Sequence, residues 1–179
     1  MLYRMRVGCP WRDLPSSFGC WNTIYKRFNC WSASGRFLRI FKILVKDPDL
    51  EWIFIDGSYV KAHQHSAGAA SDETQAIGKS RAGNTTKLHL AVDSCGLPIE
   101  FELTGGETHD CTAAPRLIDK IDVPEVIVAD KGYDSEKIRE QIRDKGSTPV
   151  IPRKENSLVG NDDMDGCLYK YRHRVENAF

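Results

Sequence analysis

"VIVAD", residues 126–130, decides the architecture. Four consecutive apolar residues are too few for a helix, and they lack the alternation of a half-exposed strand. The run reads as a short parallel strand buried on both faces, and it closes on Asp130. Upstream, "EWIFID" (51–56) is a second strand, and its apolar run closes on Asp56. An acid at the carboxyl end of a buried strand stands at the rim of the sheet, where α/β folds place their sites. Strands also end in Asp because Asp favours turns, and for one such acid that plain reading prevails. Two of them, with Glu176 in the last amphipathic segment, weaken it.

Around these two strands the pattern extends in both directions. "TKLHLAVDS" (86–94) and "IEFELTGG" (99–106) are strands joined by the turn "CGLP", a hairpin. "HDCTAAPRLIDKI" (109–121) is a short amphipathic helix; Asp110 reads as its cap, in preference to an acid that supports the site from behind. "SEKIREQIRDKG" (135–146) is a helix capped by Ser135, with Ile138 and Ile142 on one face and Gly146 at its end. "TPVIP" (148–152) is a further strand, and "LYKYRHRVENAF" (168–179) has helical spacing through Leu168, Tyr171 and Val175. The order β-β-β-α-β-α-β-α predicts an α/β fold with a mixed sheet covered by helices. Residues 66–84 and 156–166 read as long surface loops.

The first 46 residues have a different grammar. Trp21, Ile24, Tyr25, Phe28 and Trp31 fall on one helical face, Gly35 interrupts, and Phe37, Ile40, Phe41 and Leu44 begin another. "KDPDL" (46–50) is the linker. Two regions follow: a basic helical segment, 1–46, and a domain, 50–179. Net charge is zero overall but about +8 over 1–46, −9 over 47–130 and +1 thereafter. A basic arm before an acidic middle points to a polyanion, although a solvated basic helix gives the same count. Six cysteines show no paired spacing, so they are expected to be free thiols, mostly buried. No apolar run is long enough to span a membrane and no leader is legible, so the expected location is the cytoplasm.

If Asp56, Asp130 and Glu176 meet, three carboxylates repel one another unless divalent cations neutralise them. Hard oxygen ligands suit Mg2+ or Mn2+, and two such ions drive phosphodiester chemistry. Asp56 and Asp130 are 74 residues apart and Asp130 and Glu176 are 46 apart, so only the fold can bring them together.

The local text then resembles a family. "IDGSYVKAHQHSAGA" (55–69), "IGKSRAGNTTKLHLAVDSCGLPIEFELTGGETHD" (77–110), "VIVADKGYDSEKIRE" (126–140) and "YKYRHRVENAF" (169–179) are similar to bacterial insertion-sequence transposases of the DDE class. The group is insertion sequence five, within the wider insertion sequence four-like class. "GCPWRDLPSSFGCWNTIYKRFNCW" (8–31) resembles the helical region preceding their catalytic domain. The resemblance implies a ribonuclease H-like fold, with Asp56, Asp130 and Glu176 as catalytic residues that hold two Mg2+ or Mn2+ ions. It implies hydrolysis at the element's ends followed by strand transfer into target DNA. The partners would be double-stranded DNA, as terminal inverted repeats and target, and a second copy in a homodimer on DNA, at the bacterial nucleoid.

The wider group's Tyr-x2-Arg-x3-Glu-x6-Lys signature matches Tyr169, Arg172 and Glu176, and its Lys would fall four places beyond Phe179. Relative to the family both ends are expected to be trimmed. The alternative is an inactive remnant that binds DNA without cutting it; a plain nuclease on the same fold and a helical DNA-binding regulator are further rivals.

The DNA-contacting residues expected are Tyr169, Arg172, Arg174, Lys131, Lys79 and Arg81, with Lys87 as another phosphate contact in the same loop; a plain flexible loop is the competing reading there. "GKSRAGNT" (78–85) lacks the upstream glycine of a Walker loop, so no ATP site is expected. His63, His65, His89 and His109 read as rim or DNA-facing histidines rather than zinc ligands. Asp93 and Asp134 read as turn or cap acids. Trp11, Trp21 and Trp31 read as core rather than base-stacking platforms.

Overall fold

The computed structural model describes residues 1–62, 76–155, 157–161 and 164–179. The chain forms two compact units, Met1–Lys46 and Asp47–Phe179. No helix among the described residues is long and apolar enough to cross a membrane.

The first unit contains helices α1 (Leu2–Val7), α2 (Trp21–Ala33) and α3 (Arg36–Leu44), with two 3-10 turns between α1 and α2. Gly35 separates α2 from α3 because the chain turns there with φ 64°, a left-handed conformation that favours glycine. The spacing read from the sequence brings aromatic rings together. Trp11 packs on Tyr25 and Phe28, and Phe37 packs on Phe28 and Trp31, with centroids 5.0 to 5.8 Å apart. Arg4 lies over Trp11, Arg12 over Trp21 and Arg36 over Trp31. The three tryptophans are therefore half-buried ring faces, each covered by a guanidinium, and the unit has a thin core.

The second unit is built on one sheet. Its strands are β1 (Trp52–Lys61), β2 (Gly78–Ser80), β3 (Gly83–Val92), β4 (Pro98–Gly105), β5 (Val126–Ala129) and β6 (Thr148–Val150). The helices are α4 (Asp110–Lys120), α5 (Glu136–Asp144), α6 (Gly166–Tyr169) and α7 (His173–Glu176). β1 pairs antiparallel with β3 and β3 with β4, while β5 adds parallel to β1 and β6 parallel to β5. Apart from the short β2, which pairs with the start of β3, this is the order expected of a ribonuclease H-like fold. Part of the expected loop 66–84 is thus a hairpin, made of β2 and the beginning of β3. Residues 63–75, with His63 and His65, lie outside the described residues.

Alternation along the strands covers both faces of the sheet. Phe54, Leu90, Val92, Val128 and Val150 form one buried cluster with Leu168 and Val175 of the final segment. Ile53, Ile55, Ile127 and Ala129 point the other way and are equally buried. The hairpin between β3 and β4 turns on Asp93, whose Oδ1 accepts from the amides of Cys95 and Leu97, both at 2.9 Å.

Several local expectations are corrected by tertiary contacts. Ser135 stands at the N-cap of α5 but makes no capping bond. The adjacent Asp134 instead accepts from the buried Arg139 guanidinium at 2.6 Å and from the Lys154 amide at 2.8 Å. The final segment is two short α-helical turns joined by a 3-10 turn, Lys170–Arg172, rather than one helix. The six cysteines are free, but none is buried: Cys20, Cys30, Cys95 and Cys167 are exposed, and Cys9 and Cys111 are half-buried. They sit on thin helices, turns and segment ends, away from the sheet's interior.

Candidate active site

β1 and β5 run side by side in parallel, with Ile55 paired to Ala129. The next residues, Asp56 and Asp130, therefore stand at neighbouring positions: β5 ends just before Asp130, whereas β1 does not stop at Asp56, as its apolar run suggested, but continues to Lys61 along β3. Each carboxylate is oriented by a glycine amide just beyond it. Gly57 N–H donates to Asp56 Oδ1 at 2.8 Å, and Gly132 N–H donates to Asp130 Oδ1 at 2.8 Å.

Burial pushes the Asp56 carboxyl above its usual pKa, and the negative charge of Asp130 adds to the shift against the pull of Gly57 and Arg172. A buried carboxyl raised by a neighbouring negative charge describes a place that lacks positive charge.

Arg172 supplies part of that charge. Its Nη1 lies 2.9 Å from Asp56 Oδ2, and its Nη2 donates to Glu176 Oε1. One guanidinium thus ties the acid of the first strand to the acid of the last helical turn. The final segment is carried there by Leu168 and Val175, buried against the sheet, and by Tyr171 stacked on Trp52 at 5.9 Å. Arg172 had been expected at DNA; in this structure it holds two of the three acids.

Among the described residues no group of three or more His, Cys, Asp or Glu is gathered as a ready metal cluster. The Arg172 guanidinium stands between Asp56 and Glu176 instead. The donor set still fits a hard divalent cation. It is all carboxylate oxygen, two of its members stand on adjacent strands, and a cation already bridges two of them. Replacing Arg172 with alanine is expected to lower stability in EDTA by about 1.5–3 kcal/mol, the usual loss for a charge-assisted bond. Saturating Mn2+ should close most of that gap, because the ion takes over the same oxygens. Melting curves in both buffers decide it, and an equal deficit in both would mean that Arg172 and the ion do not compete.

The other expected site residues spread outward. Lys131 lines an open cleft with Asp130, Gly132, Lys154 and Glu155. Tyr169 packs against the buried cluster, and Arg174 lies over the Tyr171 ring at 5.2 Å. Lys79 is in β2, and the exposed Arg81 is in the turn that follows. His109 is exposed and precedes α4 without capping it.

Two expectations fail here. Lys87 does not reach outward to phosphate: it is buried, with Nζ 2.8 Å from Asp110 Oδ1 and 2.9 Å from Oδ2. Asp110 does not cap α4; it is the helix's first residue and makes no capping bond. Burial alone would raise the Asp110 carboxyl, but bonds from His89 and Lys87 and the Lys87 charge bring it down to about 2. His89 is fully buried, with Nδ1 3.4 Å from Asp110 Oδ1 and Nε2 3.0 Å from Thr104 Oγ1.

Sequence reasoning missed this network and Lys154. A signal was available for the network: Thr85, Lys87 and His89 alternate along one face of a central strand, where polar groups require partners.

Comparison with known proteins places the chain. Residues 47–179 match the family described as "Transposase DDE domain", and residues 1–41 match "Putative transposase of IS4/5 family". An uncharacterized protein of Sinorhizobium fredii is 39% identical over 38% of this chain and 55% of its own length. The putative transposase for insertion sequence element IS402 of Burkholderia cepacia is 36% identical over 55% of this chain and 49% of its own length. That for element IS6501 of Brucella ovis is 34% identical over 53% of this chain and 73% of its own length. The match thus spans about half the length of the first two curated relatives. Among solved structures, a piggyBac transposase synaptic complex with hairpin DNA aligns at 13% identity, over 62% of this chain and 24% of that one, with TM-score 0.39. The family match covers the whole sheet, Asp56, Asp130 and the final helical turn, and the chain belongs to the family of transposase DDE domains.

Proposed function

We propose that this chain carries the DNA-cleaving and strand-joining centre of an insertion-sequence transposase, with Asp56, Asp130 and Glu176 holding two Mg2+ or Mn2+ ions. The observation that carries the reading is the adjacency of Asp56 and Asp130 on parallel strands, with Glu176 tied to Asp56 through Arg172. When bound, the divalent ions activate water or a 3′-hydroxyl as the nucleophile and stabilise the departing oxygen. The protein's part is positional. Gly57 and Gly132 orient the Asp56 and Asp130 carboxylates, and the buried Leu168 and Val175 hold Glu176 against the sheet. No side chain attacks the phosphate, so no covalent protein intermediate forms.

The substrate is double-stranded DNA: the inverted repeats at an element's ends, and then a target. Lys131 and Lys154 flank Asp130 and contact the phosphate beside the scissile bond. Tyr169, Arg174, Lys79 and Arg81 extend that track, and the basic unit 1–46 binds DNA in its own right. The protein acts as a homodimer on paired ends, in the bacterial cytoplasm at the nucleoid.

Removing both lysines, Lys131→Ala with Lys154→Ala, should weaken DNA binding and reduce the slope of log affinity against log salt by about 2, close to one counterion per contact. An unchanged slope places both lysines away from DNA. The function itself is tested with a plasmid bearing the element's ends, incubated with the chain in Mg2+ or Mn2+. Nicking and joined products are expected. Cleavage without joining would reduce the protein to a nuclease, and salt-sensitive binding with no cleavage in either ion would overturn the reading.

A further inference from the structure

We propose that Asp110, held by Lys87, is a positioning residue that fixes the placement of Asp56 and Asp130 from the opposite face of the sheet. The proposal rests on the assignment of Asp56 and Asp130 as cation-holding carboxylates.

The two glycines that orient those acids are the two that Asp110 touches. A Cβ added to Gly57 would lie 2.7 Å from Asp110 Oδ1, and also 3.0 Å from Lys87 Cε and 3.4 Å from His89 Nδ1. A Cβ added to Gly132 would lie 3.4 Å from Asp110 Oδ2, besides meeting Asp130 itself. The carboxylate of Asp110 therefore fills the space of a missing side chain at Gly57 and stands at ordinary contact distance from that of Gly132. The next residue of α4 tightens the same contact, because Cys111 Sγ donates to the Gly132 carbonyl at 3.0 Å. The first turn of α4 thus contacts the backbone just beyond both acids at once.

Asp110 is in turn immobilised. Lys87 Nζ donates to Oδ2 and its charge lies 2.8 Å from Oδ1, and His89 stands 3.4 Å away, itself set by Thr104. Lys87, His89 and Thr104 are all buried. An ion pair in such a place is a poor source of stability, since well-packed apolar side chains of equal volume serve as well or better. It does confer direction: a fixed charge pair holds the glycines, and the glycine amides hold the carboxylates. Partners one step removed from the ligands are worth roughly 10–100-fold in metal affinity or activity.

The test uses the full chain and Mn2+ alone, with bound ion measured from the loss of the free Mn2+ electron-paramagnetic-resonance signal. Four proteins are compared: wild type, Asp110→Asn, the apolar pair Lys87→Met with Asp110→Leu, and Asp56→Asn. The apolar pair removes the network without leaving a buried charge, and melting in EDTA confirms that it folds. Positioning predicts Mn2+ binding at least about tenfold weaker in both Asp110 variants, and a lower kcat for plasmid nicking with KM for DNA unchanged. Wild-type Mn2+ affinity in the folded apolar pair would overturn the role of Asp110. If Asp56→Asn alone loses binding, the cation site stands and only the positioning role falls. If Asp56→Asn also binds like wild type, the site assignment falls and takes this proposal with it.

Discussion

Asp56→Asn, and equally Asp130→Asn, should reduce metal-dependent strand cleavage by roughly a thousandfold or more, about 4 kcal/mol of barrier, and Asp56→Asn should do so without lowering the melting temperature in EDTA. The loss follows from replacing an anionic oxygen donor with a neutral amide at the place where positive charge is required. The stability half of the result follows from the direction of the Asp56 shift. Burial raises its carboxyl above the ordinary value, with Asp130 adding to it. A carboxyl raised in the fold contributes stability only below its unfolded value, and loses that contribution as pH rises through the folded one. At neutral pH the ionised Asp56 is therefore a burden on the fold, and asparagine lifts it while its single oxygen still accepts from Gly57. Sites built for function commonly show this exchange. Rates and melting curves for the two variants decide the matter; full cleavage by Asp56→Asn would remove the residue from the chemistry.

The second large effect is expected at Val175→Asp. Val175 is fully buried in the cluster with Phe54, Leu90, Val92 and Leu168. A carboxylate there has no partner in its apolar surroundings, at a cost of at least about 3 kcal/mol. The final segment bears that cost locally, because Leu168, Val175 and the Tyr171–Trp52 stack are what press it to the sheet. Proteolysis should then cut between residues 166 and 179 much faster, while the far-ultraviolet signal of the sheet persists. Cleavage of DNA should fall as far as in Glu176→Ala, since Glu176 is carried by that segment. Global unfolding would show that the segment is integral to the core; unchanged proteolysis would show that Val175 anchors nothing.

What could be read in the sequence was whatever short-range pattern determines. "VIVAD" and "EWIFID" encode strands by their apolar runs, and a parallel pairing of the two is enough to put Asp56 beside Asp130. The i, i+4 spacing of Arg172 and Glu176 encodes their ion pair. Asp56 lies 116 residues before Arg172, and nothing local announces that their side chains meet. Asp110 was misread for the same reason. An acid opening an amphipathic helix has a ready local explanation as a cap, whereas its true partner, Lys87, is 23 residues back on a strand. Asp134 likewise bonds the Lys154 amide, 20 residues on, besides the nearby buried Arg139. The cysteines were misjudged because burial preference is an average, and here they fall on helix surfaces, turns and segment ends.

The central claim, that Asp56, Asp130 and Glu176 surround one cation-binding centre, is tested most directly by iron-directed backbone cleavage. Fe2+ replaces Mg2+, ascorbate and peroxide generate hydroxyl radicals at the bound ion, and mass spectrometry maps the broken peptide bonds. The account predicts cuts clustered at three segments at once, near residues 56–57, 130–132 and 172–176, suppressed by excess Mg2+ and absent in Asp56→Asn. Cuts confined to any other part of the chain, or a pattern indifferent to Asp56→Asn, would contradict it.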